Sequence, residues 1–314
     1  GSELATVVTG STTSLEPSFP AAGAPTLTVR ALNVLHKLRG KQHRDHWPNA
    51  RVSASQMKIS RIAQDIGQRR IEGETFPLPM RISPEAMRDE PLLDYLAQDN
   101  VFDIDFLVLQ ARRIGYVVYI DLERQGRNTR EVLYFGPSDA RHPGVPRTTY
   151  ELEWGLSLID FAPKLSTANQ VKSVTVKSWN RQTNRAIAEQ VEFNSPGIGV
   201  NQDLIALLDV PGCRPREAVV ANEPMFTPAQ ARRRAQALMA ERLRQLVEAN
   251  GTCIGLPDLR AGQQMQIRGL GARFSGLYFV TKTTHTIDDN GYQVKFVARR
   301  EGPLADAATR RATS

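Results

Sequence analysis

The chain has 314 residues, of which 41% are hydrophobic and 23% charged, proportions of a globular protein with length for two or three compact units, which excludes a disordered chain. No apolar run approaches the ~20 residues that a membrane span requires, and Cys213 and Cys253 are too few and too far apart for a disulfide framework or a zinc site, so free buried thiols are expected. A net charge of +7 permits an acidic partner such as nucleic acid without establishing one.

Ala5–Val8 and Thr26–Arg30 have strand character, interrupted by Pro17, Pro20, Gly23 and Pro25. No signal peptide is read before them, and Gly1-Ser2 has the form of a cloning scar. A helix is expected next, with Ser53 or Ser55 as its N-cap and Ile59, Ile62, Ala63 and Ile66 on one face. A second follows Asp103, with Ile104, Leu107, Val108 and Ala111 on one stripe and Gly115 at its C-terminal cap. Tyr116–Ile120 and Val132–Phe135 read as paired strands, which completes a small α+β unit.

Gly136-Pro137, Pro143-Gly144 and Pro146 mark a linker. Beyond it, Leu152–Phe161 and Val171–Trp179 read as strands, the second with the alternation of a half-buried one. Residues 195–226 carry Pro211, Gly212, Pro215 and Pro224 and offer only a short element at Leu204–Leu208. Thr227 as N-cap, Pro228 at the first helical position and Gln230 completing a capping box start a long helix. Its stripe is Ala231, Ala235, Leu238, Met239, Leu243 and Leu246, and Asn250-Gly251 is its expected end. Leu277–Ile287 and Tyr292–Arg299 are strands joined by the turn Asp288-Asp-Asn-Gly291. Tyr292, Val294, Phe296 and Ala298 share the face expected to pack inward, while Gln293, Lys295, Val297 and Arg299 share the other.

No reading of these residues as a catalytic, cofactor or metal site outweighs a structural one. His43 and His46 with Asp45 lack a third committed ligand. Asp103 is explained as a helix N-cap and Asp105 as a first-turn charge. Gly269-Leu-Gly271 lacks the third glycine of a phosphate loop and is expected to lead into a strand. No nucleophile elbow is present. Arg232-Arg233-Arg234 reads as a solvated helix face, with nucleic acid as the rival reading, and Lys172 and Lys177 are candidates to line a basic lumen.

Taken in order, Leu15-Glu-Pro-Ser-Phe-Pro20, Thr26-Leu-Thr-Val-Arg30 and on to Leu38, the Ile59–Ile66 helix, Asp105-Phe-Leu107 with Ala111-Arg-Arg-Ile-Gly-Tyr116, Val174-Thr-Val-Lys-Ser-Trp179 and the run from Gly255 to Arg299 resemble the late control gene D family of contractile phage tails. Relatives of that family include the hub region of type VI secretion spike proteins and the hubs of extracellular contractile injection systems. The resemblance implies an α+β protein with two β-barrel-like hub domains, an inserted small α+β domain and a long helix. It divides the chain into a partial barrel-like domain at 1–48, the α+β domain at 49–140, a second barrel-like domain at 147–301 that includes helix 228–250, and a flexible tail at 302–314. The family usually has several strands before the Leu15 motif, so the first barrel is expected to be short.

It further implies a non-enzymatic baseplate hub without cofactor, assembled in the bacterial cytoplasm into a phage tail or an extracellular injection particle. Its expected partners are two further copies of itself, the tail tube initiator protein, the spike protein and other baseplate proteins, with nucleic acid or an effector only as lumen cargo. His285, Gln293, Lys295, Val297 and Arg299 are the expected interface residues. The alternatives are a basic nucleic-acid-binding protein, separable by the salt dependence of its affinity, and a hub that carries peptidoglycan hydrolase activity, for which no paired acid and base carboxylates are found.

Overall fold

The computed structural model describes residues 9–71, 74–76, 78–125, 128–138, 149–180, 183–196, 198, 216–289, 291–302 and 310–311. The expected elements at Ala5–Val8 and Leu204–Leu208, the linker prolines 143 and 146, Cys213 and most of the tail lie outside the described residues. The protein is a strand-rich α/β mixture.

Ser11–Ser18 (β1) and Thr26–Leu32 (β2) pair antiparallel around Gly23 as a two-stranded ribbon. Next come Gln42–Trp47 (β3), helix Ile59–Ile66 (α1), Arg70–Ile71 (β4), Glu74–Thr75 (β5), Met80–Ile82 (β6), helix Pro84–Arg88 (α2), Leu96–Phe102 (β7), helix Asp103–Arg113 (α3), Tyr116–Gln125 (β8) and Asn128–Pro137 (β9). The expected pairing of the last two strands is present, with Val118 opposite Phe135 and Ile120 opposite Leu133. One core gathers Trp47, Met57, Ile62, Ile66, Phe106, Leu107, Leu133 and Phe135, with the Trp47 and Phe106 rings stacked 5.7 Å apart. Leu38 and Trp47, which precede the boundary expected at 48, belong to this core.

Two helix starts differ from the sequence reading. Ser53 opens a separate 3-10 turn at Ala54–Gln56, and α1 begins after Lys58, which makes no side-chain cap. The Glu90 carboxylate takes that role from outside the helix, accepting the Ser60 N–H at 2.9 Å and the Ser60 hydroxyl. A cap supplied by a carboxylate thirty positions away leaves no local pattern to read. Likewise α3 is preceded by Phe102, and Asp103 is its first helical residue, buried in an ion-pair network instead of capping.

The second half comprises Thr149–Glu153 (β10), Leu158–Leu165 (β11), Val171–Asn180 (β12), Arg185–Glu192 (β13), Arg216–Val220 (β14), helix Pro228–Arg244 (α4), Val247–Ile254 (β15), Gln264–Arg268 (β16), Gly276–Asp288 (β17), Gly291–Gly302 (β18) and Arg310–Arg311 (β19). Seven strands in the order β11-β15-β18-β17-β16-β10-β19 form one sheet, which curls into a half-barrel. β13-β12-β14 form a second sheet, against which α4 packs. The core between them holds Val174, Val176, Met239, Leu243, Leu246, Tyr278, Val294 and Phe296. Cys253 is free and buried in it, and burial pushes its thiol pKa up to about 12.

The start of α4 follows its signals: Thr227 Oγ1 accepts the Gln230 N–H at 3.2 Å, and Gln230 Oε1 accepts the Phe226 N–H at 3.0 Å. Its end does not. The helix stops at Arg244, and Val247–Ile254, expected to contain its last turns, is a central sheet strand with alternating burial. Gly251 is fitted to that strand, because a Cβ there would lie 2.5 Å from the Phe296 ring. Leu238, expected on the core stripe, is only half-buried, whereas Met239 is fully buried.

Candidate assembly surface

The C-terminal hairpin β17–β18 presents the alternation read from its sequence. Val294, Phe296 and Ala298 are buried and Tyr292 packs partly against the core, while Gln293 and Lys295 are exposed and Val297 and Arg299 half-buried. Gln293, Lys295 and Val297 lie on the strand's outer face, but Arg299, on the same face, is not a free surface cation. Its Nε donates to Glu301 at 2.9 Å, Nη2 donates to Ser138 Oγ at 3.0 Å, and the guanidinium lies 4.7 Å from the Phe279 ring centre. His285 is packed within the chain: Nε2 donates to the Leu259 carbonyl at 2.9 Å, and Nδ1 meets the Tyr292 hydroxyl at 2.8 Å. Burial holds its pKa below the usual histidine value, and the Leu259 carbonyl offsets this in part.

Arg299 belongs to a seam that joins the two cores. Across it, the Gln230 side chain donates to the Leu92 carbonyl at 2.8 Å, and Arg260 pairs with Glu131 at 3.3 Å. The Tyr119 and Phe279 rings meet edge to face with centroids 6.3 Å apart. Gly262 has φ +96°, and a Cβ there would lie 2.1 Å from the Tyr119 ring, so this close approach requires glycine. A cavity of about 340 Å³ remains in the seam, lined by Leu93, Leu96, Ile114, Met225, Phe226 and Arg233 among others. Glu90 forms part of its wall, and burial raises that carboxyl above the usual range despite the opposing bonds from Ser60 and the charge of Arg233.

The arginine cluster of the long helix is divided by this packing. Arg232 is exposed, as expected of a solvated face. Arg233 instead lies over the Tyr116 ring at 5.3 Å, and Arg234 pairs with Glu223 through Nε at 2.8 Å and Nη2 at 2.6 Å. Their partners come from other elements, which the helical pattern does not encode.

The remaining candidates are also placed. Asp103, 2% exposed, accepts from Arg69 at 2.5 Å and lies 3.0 Å from His43 Nδ1, while Arg69 also pairs with Asp45 at 2.7 Å. His46 stacks on Tyr95, and Asp105 pairs with Arg39 at the surface. Thus His43, Asp45 and Asp103 belong to one polar network, in which Arg69 joins Asp45 to Asp103 and Arg51 also pairs with Asp45 at 3.1 Å, a structural role. Among the described residues no group of three or more His, Cys, Asp or Glu converges as a metal site. Gly269-Leu-Gly271 leads into a one-turn helix, Gly271–Phe274, before the strand that was expected directly. Lys172 and Lys177 are exposed on β12.

The family model for the Alg8 N-terminal domain matches residues 80–289, well over half of the chain. The chain belongs to the Alg8 N-terminal domain family. That is the matching model, where the sequence motifs resembled the late control gene D family. No curated protein matches the sequence. Among solved structures, the 43 kDa tail protein of prophage MuSo2 from Shewanella oneidensis has 15% identity and a TM-score of 0.63, over 94% of this chain and 79% of that one. A tail protein from Neisseria meningitidis MC58 has 13% identity and a TM-score of 0.61, over 94% and 80% of the two chains. An E. coli component of the type VI secretion system has 13% identity and a TM-score of 0.52, with this chain spanning 62% of its length. At these identities the likeness establishes a shared fold.

Proposed function

We propose that this member of the Alg8 N-terminal domain family is a structural baseplate hub of a contractile tail or injection particle: a homotrimeric ring that joins a hexameric tail tube to a trimeric spike and catalyses no reaction. The observation that carries this reading is the fold shared over 94% of the chain with two tail proteins. Two sheet-bearing units per chain give six segments in a trimer, so a ring closed by one repeated contact can meet sixfold symmetry on one side and threefold on the other. The partners are the tube initiator, the spike and further baseplate proteins, with assembly in the bacterial cytoplasm before the particle is released. The outer face of β18, with the exposed Gln293 and Lys295 and the half-buried Val297, is the surface offered to them.

The test is to delete the gene, restore it in trans and purify the particles. The expected outcome is loss of complete tails on deletion, together with cross-links from this chain to tube and spike proteins in the complemented strain. Complete, contracting particles without the protein overturn the proposal.

A further inference from the structure

The β1–β2 ribbon is amphipathic, and its apolar face is bare. Cross-strand pairs place Leu15 opposite Val29 and Pro17 opposite Leu27 on one face, with Ser14 opposite Arg30 and Glu16 opposite Thr28 on the other. The polar face neutralises itself through the Glu16–Arg30 ion pair at 2.9 Å. On the apolar face Leu15 is 62% exposed, Leu27 59% and Val29 53%, with Phe19 at 78% beside the ribbon's turn. Two-stranded ribbons are marginal in water without a covered face, and uncovered apolar patches of this kind mark interaction sites.

A surface of matching chemistry lies elsewhere on the same chain. In and beside the turn between β10 and β11, Trp154 is 49% exposed, Leu156 76% and Ile159 49%. The turn is fixed by backbone bonds from Trp154 N–H to the Arg268 carbonyl at 3.2 Å and from Leu156 N–H to the Glu153 carbonyl at 3.1 Å, so these side chains are held out on a rigid mount. It adjoins β11, an edge strand of the seven-stranded sheet. The exposure of both patches shows that neither covers the other within one chain.

We propose that the apolar face of the β1–β2 ribbon seats on the Trp154–Ile159 turn of a second copy of this chain. The charge pattern favours that occupant. The ribbon's apolar face carries no charged residue and its polar face pairs its own charges, so it selects neither a basic nor an acidic partner, and the turn offers the aromatic and aliphatic side chains of Trp154, Leu156 and Ile159 with no charged residue among them, between the exposed Glu153 and Asp160. The two patches are different, so the contact is heterologous and repeats from copy to copy until the ring closes. This inference rests on the trimeric reading above and specifies the contact that closes the ring.

The test uses the full chain in three measurements. Light scattering of the wild type gives the mass of three chains, and Leu27→Asp with Val29→Asp, or Leu156→Asp alone, reduces it to the mass of one chain with the circular dichroism and the unfolding of both cores unchanged. Co-expressed Leu27→Cys and Leu156→Cys chains, one of them tagged, are joined by a short bis-maleimide, whereas the wild type and either variant alone are not. The cross-link is read in the assembled state and does not depend on how the aspartate variants fold. If the variants remain trimeric and the cross-link is absent, the ribbon contact is overturned while the trimeric hub stands. A trimer that is intact but no longer holds the spike or tube protein assigns the ribbon to that partner and also overturns it. A monomeric wild type removes the trimeric reading itself.

Discussion

The guanidinium of Arg233 lies 5.3 Å from the centre of the Tyr116 ring, so a cation of the long helix is set against an aromatic face of the α+β unit beside the buried Glu90. Replacing Arg233 by Ala removes the stacked cation and a positive charge that favours the ionised form of that carboxyl. The expected loss is about 1–3 kcal/mol in denaturant unfolding. Arg232→Ala, on the exposed face of the same helix, is expected to change stability by less than about 0.5 kcal/mol. Equal effects would place both side chains in solvent.

Glu90 predicts a pH dependence with a definite sign. Burial raises its pKa above the ordinary 4.5, so its favourable contribution is complete below about that pH and is lost as pH rises through the raised value. Glu90→Gln loses one acceptor for Ser60, a cost that does not vary with pH. Melting curves of the two proteins from pH 4 to pH 7 are therefore expected to shift progressively in favour of the glutamine variant as pH rises. A constant difference across the range would mean that the carboxyl titrates normally.

Met239 and Leu238 are adjacent on α4 but differently buried. Met239→Asp places a charge in the core and is expected to cost about 4 kcal/mol or more, whereas Leu238→Asp, at a half-buried position, costs about 1–3 kcal/mol. Thermal unfolding of the pair checks the assignment, and a more damaging change at 238 would rotate the helix from the orientation described.

If the outer face of β18 is the assembly surface proposed above, variants there separate assembly from folding. Lys295→Glu is expected to leave the melting temperature unchanged and to lower incorporation into particles, because the side chain is exposed and outside the core. Arg299→Glu is expected to destabilise the isolated chain, since it breaks the bonds to Glu301 and Ser138 and removes the cation over Phe279. Particle yield and melting temperature, measured on both variants, distinguish the two roles.

Where the determinants are local, the sequence was legible. The alternation of Tyr292–Arg299, the cap at Thr227 and the apolar spacing of Ile59, Ile62, Ala63 and Ile66 each lie within one element and are present as read. The end of α4 was not legible, because Gln245 and Leu246 contain no helix breaker and Leu246 continues the apolar stripe, so only the sheet's claim on Val247 and Ala249 stops the helix. Within the candidate surface, the exposure of Gln293 and Lys295 follows from period two alone. The engagement of Arg299 and Arg233 does not, since Ser138 and Tyr116 are far away in the chain and reach these arginines only after the two cores have docked. Asp103 is the same case: its spacing suits a helix start, but Arg69 and His43 decide its role.

Only Gln245 and Leu246 separate the last residue of α4 from the first of β15, and Leu246 is itself fully buried. The helix that clasps the α+β unit is thus spliced, without slack, to a strand in the interior of the seven-stranded sheet. A push or twist applied to the small unit passes along α4 as through a stiff rod and reaches the sheet at β15, beside the strand that bears Lys295. A load on the small unit is therefore handed to the sheet instead of being absorbed between the two.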